Sequence, residues 1–268
     1  MPVAASAIQQ DAHASTMSPA EWDARVNLAA FYRLAAHYGW TDLIYTHISA
    51  RVPGPDDHFL LNPFGWMFEE VTASSLVKVD IHGNIVSQTP HRIHPAGFVI
   101  HSAVHQARPD ALCVMHSHTR AGMAVSMMEC GLLPLSQHAM LFEGRVAYHD
   151  NEGLALDLDE RTRLARDLGN KAVMILRNHG TLVVGSSIAE TFSMMWHLEK
   201  AMQAQVDALA SQQKLTRPPA EVARGIAENG FTGKKRVTPY GDEQSPLGRL
   251  EWPAMLRKLD RMDPSFRN

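Results

Sequence analysis

The sequence predicts an α/β protein built on a mixed, largely antiparallel sheet flanked by helices. Two observations predict it: strand-like runs interleave with helical ones, and several strand runs are joined by short Pro/Gly/Asn turns. A third is the apolar run Ala111–His116, which suits a strand buried within a sheet.

The elements follow in order. Ser18, Pro19 and Glu21 read as an N-cap, a first-turn proline and an acidic first turn. The helix they open runs towards His37, with Val26, Ala29, Ala30, Arg33 and Leu34 on its buried stripe, and Gly39 stops it. Strands are expected over Tyr45–Val52, His58–Leu61 and Val77–Ile81, with turns at Pro53-Gly54-Pro55 and His82-Gly83-Asn84. Pro95 opens a second helix that ends near Ala107. After the strand Ala111–His116 comes a helix over Thr119–Met128. Strands Ala172–Leu176 and Thr181–Val184 flank the turn Arg177-Asn178-His179-Gly180, and a long helix runs from Ser187 to about Ala210. A short helix is expected near Trp252–Leu259.

With 268 residues, 45% of them hydrophobic and 20% charged, the chain can bury one sizeable core. One domain over residues 18–212 is expected. It follows a disordered Ala/Ser/Gln-rich tail at 1–17 and precedes an extension at 213–268 that packs on the domain or on a neighbouring subunit. A net charge of −3 gives no reason to expect a nucleic-acid or membrane partner. Cys113 and Cys130 fit neither a disulfide framework nor a thiolate metal site, which points to a reducing compartment. No apolar run has membrane-span length and Met1–Met17 does not read as a signal peptide, so a cytoplasmic location is expected.

The chemistry concentrates in the 15 histidines. His116 and His118 stand two apart at a strand end, and side chains at i and i+2 of a strand leave the same face. His179 sits at another strand end, before a glycine. Three imidazoles with an open fourth position suit a catalytic Zn²⁺ site, and the same nitrogens accept Fe²⁺, Mn²⁺ or Co²⁺.

The stretch Arg108-Pro109-Asp110…His116-Ser117-His118 and the run Asn178-His179-Gly180 resemble the two signatures of the class II aldolase/adducin family. Thr46–Arg51, Asn62-Pro63-Phe64-Gly65 and Gly131–Pro134 are further matches, and the similarity runs from about Pro19 to Ala210. The resemblance is to the family's adducin-like bacterial branch. It implies a three-layer fold and a cyclic homotetramer with sites near subunit boundaries. It also implies a divalent ion on His116, His118 and His179 that polarises the oxygens of an enediolate.

The chain departs from the sugar-phosphate aldolases of that family at informative places. Their acid/base carboxylate falls on Gly97, which cannot move a proton. Their phosphate-binding serines fall on Pro95 and Ala96, an asparagine falls on His47, and a threonine falls on Phe64 beside Gly65. A small phosphorylated sugar is therefore not the expected substrate. His47, Asn62, Gly65 and Gly97 remain candidates for substrate contact, and Glu143 and Tyr240 for the missing proton transfer. His101 and His105, one helical turn apart, read as a packed or polar helix face rather than a chelate. His138 and His149 read as ordinary structural histidines.

Three functions are consistent with this reading. The first is a metal-dependent lyase performing aldol cleavage or decarboxylation on a small molecule. The second is a non-haem Fe(II) oxygenase. The third is a non-catalytic adducin-like assembly module.

Overall fold

The structure, a computed structural model, describes residues 17–54, 57–153, 159–231 and 247–268. All but the last residue of the expected disordered tail, part of the Pro53-Gly54-Pro55 turn, and Tyr240 lie outside the described residues.

Helix α1 spans Pro19–His37, and Ser18 Oγ accepts the Glu21 N–H at 3.1 Å, as its sequence signature implies. Its burial exceeds a single stripe: Leu28, Ala29, Ala30, Phe31, Tyr32, Leu34 and Ala35 are all fully buried. Val26 and Arg33, expected on the stripe, lie at its half-buried margin, and Arg33 caps the Val71 carbonyl at 2.8 Å.

Strands β1 (His47–Arg51), β2 (His58–Leu61) and β3 (Val77–Asp80) follow, then helix α2 (Pro95–Ala107) and strand β4 (Cys113–Ser117). Helices α3 (Arg120–Ser126) and α4 (Gln137–Met140) lead to strand β5 (Val146–His149) and helix α5 (Glu160–Leu168). Strands β6 (Val173–Leu176) and β7 (Gly180–Gly185) precede the long helix α6 (Ile188–Ala210), then α7 (Ala220–Phe231) and α8 (Glu251–Met262).

The seven strands form one sheet in the order β3-β2-β1-β4-β7-β6-β5. Every pairing is antiparallel except β5 with β6, which α5 connects as a crossover helix must between parallel neighbours. Strand β5 was not anticipated from sequence; it is four residues long, at the sheet edge, with too short an alternation to register.

The strand period of two divides the core into two layers. Ile48, Ala50, Cys113, Met115, Val173, Ile175 and Val183 pack with α1 and α6 on one face. Val114, Met174, Leu176, Leu182 and Val184 pack with Ile100, Ala103 and Val104 of α2 and with Leu164 and Leu168 of α5 on the other. Helices thus cover both faces, giving three layers. By the same alternation His47, Ser49 and His116 belong to the α2 face, where polar side chains replace the apolar ones.

Helix α8 docks on α1, with Trp252 Nε1 donating to Asn27 Oδ1 at 2.7 Å and its ring among Phe31 and Phe192. Among the described residues no helix is long and apolar enough to cross a membrane.

Tyr32 joins α1 to β1, the strand that carries His47. Its fully buried hydroxyl receives the Ile48 N–H at 2.7 Å, meets the Ile48 carbonyl, and lies 2.9 Å from Asn62 Oδ1. Replacing it by Phe removes the partner of several buried groups at once. Tyr32→Phe is expected to lower stability by about 1–3 kcal/mol, read as a fall in the urea unfolding midpoint. An unchanged midpoint would show that the hydroxyl does not hold this strand.

Candidate metal centre

The centre forms where three strand ends meet. His116 lies in β4 opposite Leu182 of β7 on one side and His47 of β1 on the other. His118 follows one residue beyond the end of β4, and His179 sits in the turn between β6 and β7.

The turn depends on two residues in different ways. Asn178 takes the left-handed conformation, φ 56°, which Asn tolerates better than most side chains. Gly180 is needed for a different reason. A Cβ there would run into the Ser117 carbonyl and lie 3.0 Å from the His118 ring. The glycine lets the β7 backbone press against the strand end that carries His116 and His118.

The Nε2 atom of His118 lies 2.8 Å from that of His116 and 2.9 Å from that of His179. Each of the three residues offers a ligand atom, and these lie within 4.8 Å of one another. The outer ring nitrogens decide the protonation. His116 Nδ1 faces the Thr181 carbonyl at 3.0 Å, and His118 Nδ1 faces Asp42 Oδ2 at 2.8 Å. Carbonyl and carboxylate oxygens accept, so both Nδ1 atoms carry a proton, and in the neutral form of each ring the Nε2 lone pair turns inward. Burial and the neighbouring imidazoles push His116 well below the ordinary histidine range, and they push His179 down to about 4, so neither is charged near neutrality.

In those neutral tautomers the two inward lone pairs face each other across 2.8 Å and repel unless a metal ion or a proton lies between them. Tetrahedral Zn²⁺ with bonds of about 2.0–2.1 Å would space its nitrogens about 3.3–3.4 Å apart, so the rings need to open by only about half an ångström. The donor set fits a divalent ion of the zinc or iron type, and the partners on Nδ1 are those that orient metal-binding imidazoles.

These histidines lie at the bottom of a cleft of about 740 Å³. Pro95, Ala96 and Ile100 give it an apolar wall, and Asp42, Tyr45, His94 and Asn151 a polar one. Among the described residues its lining contains neither lysine nor arginine.

The other sequence candidates separate. His47 is in the cleft wall, 3% exposed, with its ring centroid 5.2 Å from that of His116. Gly97 is beneath it rather than in the cleft: a Cβ there would lie 2.6 Å from His47 Cδ2. The absent carboxylate has therefore left no open space, because the His47 imidazole fills it. Asn62 does not line the cleft; it is buried and spends its side chain on Tyr32. Gly65 is exposed and also outside the lining, although Phe64 beside it packs edge-on against His94, 4.6 Å between centroids.

Glu143 is displaced altogether. It sits exposed in the turn after α4, lining a separate surface depression with Arg145, Lys171 and Arg224. The reason is that α4 and its turn pack beneath α7, whose Gly230 crosses over Leu141. His138 lies tilted against His197, with centroids 5.0 Å apart, and His149 pairs with Asp167 at 2.8 Å, so both have structural partners.

Sequence reasoning missed Asp42, the carboxylate behind His118. It lies in an irregular segment with no periodicity to mark it. His94 was also missed; its Nδ1 caps α2 by accepting the Ala96 N–H at 3.1 Å, a role usually taken by Ser, Thr, Asp or Asn.

Comparison with known proteins places the fold in a family. The Class II Aldolase and Adducin N-terminal domain matches residues 26–206. A Caulobacter vibrioides protein of the aldolase class 2 type is 52% identical over 93% of this chain and 94% of its own length. Rat alpha-adducin is 45% identical over 89% of this chain, which spans 33% of the adducin. The crystal structure of an aldolase II superfamily protein from Pseudomonas syringae is 49% identical and superposes with a TM-score of 0.87, covering 96% of this chain and all of that one. An L-fuculose 1-phosphate aldolase from Glaciozyma antarctica is 27% identical with a TM-score of 0.78, covering 92% of this chain and 93% of that one. The match across the whole sheet, together with the histidine signatures at its strand ends, makes this chain a member of the class II aldolase/adducin family.

Proposed function

We propose that this chain is a divalent-metal-dependent lyase that cleaves a carbon–carbon bond, by aldol cleavage or decarboxylation, in a non-phosphorylated small molecule. The observation that carries the proposal is the convergence of His116, His118 and His179, with the inward lone pairs of His116 and His118 fixed by the Thr181 carbonyl and Asp42. Zinc is the first choice of ion by ligand type, with Fe²⁺, Mn²⁺ and Co²⁺ accepted by the same nitrogens. An ion bound there supplies Lewis-acid polarisation of substrate oxygens, stabilising charge that builds up as the bond breaks.

This chain's own residues supply the rest. Asp42 and the Thr181 carbonyl hold their imidazoles in the ligating tautomer. Pro95, Ala96 and Ile100 accept an apolar part of the substrate and exclude water from it. The absence of lysine and arginine from the described cleft walls argues against a phosphate, which such sites bind through cationic or multiple N–H donors. The similarity to an L-fuculose 1-phosphate aldolase supports the lyase class but not that substrate. A homotetramer, in which a neighbouring copy closes the cleft, belongs to the same proposal.

The similarity to alpha-adducin favours one competing reading, a non-catalytic assembly module. The two readings differ in what the ion does. His116→Ala and His179→Ala should each reduce the metal content of the purified protein to near zero, read by elemental analysis. Each should also abolish a substrate-dependent, chelator-sensitive activity found by screening hydroxy-carbonyl and hydroxy-acid compounds. Metal retained by both variants would overturn the lyase reading. Unchanged oligomerisation and partner binding after metal removal, with no activity across the screen, would favour the assembly module.

Asp42 gives a graded test. Asp42→Asn preserves shape but weakens the acceptor behind His118, and should reduce metal affinity about 10–100-fold, measured by competition with a chromogenic chelator. An affinity equal to the parent's would remove Asp42 from the centre.

A further inference from the structure

Four buried side chains stand in single file between the cleft and the far end of α2. His47 Nδ1 lies 2.9 Å from His101 Nε2, and His101 Nδ1 lies 2.5 Å from Ser49 Oγ. Ser49 Oγ in turn lies 2.7 Å from His105 Nε2, and His105 Nδ1 is 3.1 Å from the Ala111 carbonyl. The file forms because two periodicities match. His47 and Ser49 are two apart on a strand, His101 and His105 four apart on the facing helix, and both steps span about 6–7 Å. None of the four is more than 3% exposed.

The direction of every proton in this file follows from its far end. A carbonyl only accepts, so His105 carries its proton on Nδ1. Burial and the Arg51 guanidinium hold the His105 pKa down at about 3, so the ring is neutral and its Nε2 must accept. Ser49 donates its single proton there, which leaves Ser49 Oγ to accept from His101 Nδ1. His101, also held neutral by burial, then accepts at Nε2 from His47 Nδ1. The remaining nitrogen of His47, Nε2, keeps its lone pair. It has no hydrogen-bond partner among the described residues and is not sealed from solvent. The ring that bears it lines the cleft beside His116.

We propose that the His105–Ser49–His101 file is a positioning device that fixes His47 as a hydrogen-bond acceptor, and that its donor is a hydroxyl of the substrate. The placement of that hydroxyl rests on the metal-dependent reading above; the file itself does not. A phosphate or carboxylate oxygen would set its own lone pairs against that of Nε2, with no lysine or arginine in the described lining to compensate. The ligand class is therefore a hydroxy-carbonyl compound that presents a neutral hydroxyl, not an anionic oxygen, to His47 and lays its apolar body on Pro95, Ala96 and Ile100. Gly97 serves the same arrangement, since a side chain there would drive the His47 ring out of the file.

The test has two arms. In the first, the metal-free protein is labelled with ¹⁵N-histidine, and the His47 signals are assigned by their loss in His47→Gln. The expected spectrum shows a protonated Nδ1 and an unprotonated Nε2 at neutral pH. Ser49→Ala, which breaks the file, should give a mixture of His47 tautomers while its metal content stays that of the parent. A protonated Nε2 in the parent, or a tautomer unmoved by Ser49→Ala, would overturn the positioning role. In the second arm, cobalt-substituted protein is titrated with 2-hydroxyacetophenone and with its methyl ether, 2-methoxyacetophenone, followed by the visible cobalt bands. The hydroxy compound should bind about tenfold or more tightly, the size of one lost buried hydrogen bond, and Ser49→Ala should narrow that ratio. Equal binding of the two, or binding of neither, would overturn the substrate class. A protein that loads no cobalt yet shows the expected His47 tautomer would sink the metal reading alone.

Discussion

The antiparallel pairing of β1 with β4, in the register that sets His47 against His116, is the constraint on which the rest of this site depends. It places one polar face of each strand towards α2 and leaves Ile48, Ala50, Cys113 and Met115 to the apolar core on the other side. Slipping the register by one residue would exchange these faces, burying histidines among Leu28 and Phe192 and exposing methionine to the cleft. The register is held from outside the site, by the Tyr32 hydroxyl on Ile48 and by the apolar face itself. The geometry of the histidine cluster and the packing of the core are therefore one structural decision.

The exchange at Gly97 follows from that register. In this chain an imidazole from β1 fills the volume that a side chain on the first turn of α2 would occupy, so position 47 and position 97 cannot both be large. What was a gap in the sequence is a packed contact in the fold. The contact also changes the chemistry available at the cleft. A carboxylate would bring negative charge and a removable proton, whereas His47 brings a neutral ring whose inner nitrogen is already committed to His101.

The proposed ligand histidines have the same logic on their outer side. Each of two Nδ1 atoms meets an oxygen that only accepts, one from the main chain of β7 and one from Asp42. The inner nitrogens are left electron-rich and close together, an arrangement that is costly for a protein alone and favourable around a cation. This distinguishes the trio from His101 and His105, which lie on α2 and are more deeply buried, but have each nitrogen matched to a protein partner. Proximity of histidines does not by itself suit a cation; unmatched lone pairs do.

The sequence by itself determined the helices with explicit caps, such as Ser18–Pro19 and Ser187, and the strands near histidines. It joined His116, His118 and His179 as one candidate set only through resemblance to the family's two signatures, across the 61 residues between His118 and His179. The caps, strands and turns are local: a cap, a period of two and a turn all act within a few residues. It did not reveal Asp42 behind His118, the displacement of Glu143 to a surface depression beside α7, or the use of Asn62 as a partner for Tyr32. Nor did it show that His47, Ser49, His101 and His105 form one file, although all four were visible as letters. Each of these depends on which strand lies beside which and on which helix covers them, and contacts across 54 to 76 residues of chain, from His47 to His101 or Asp42 to His118, exist only once the sheet has closed its order.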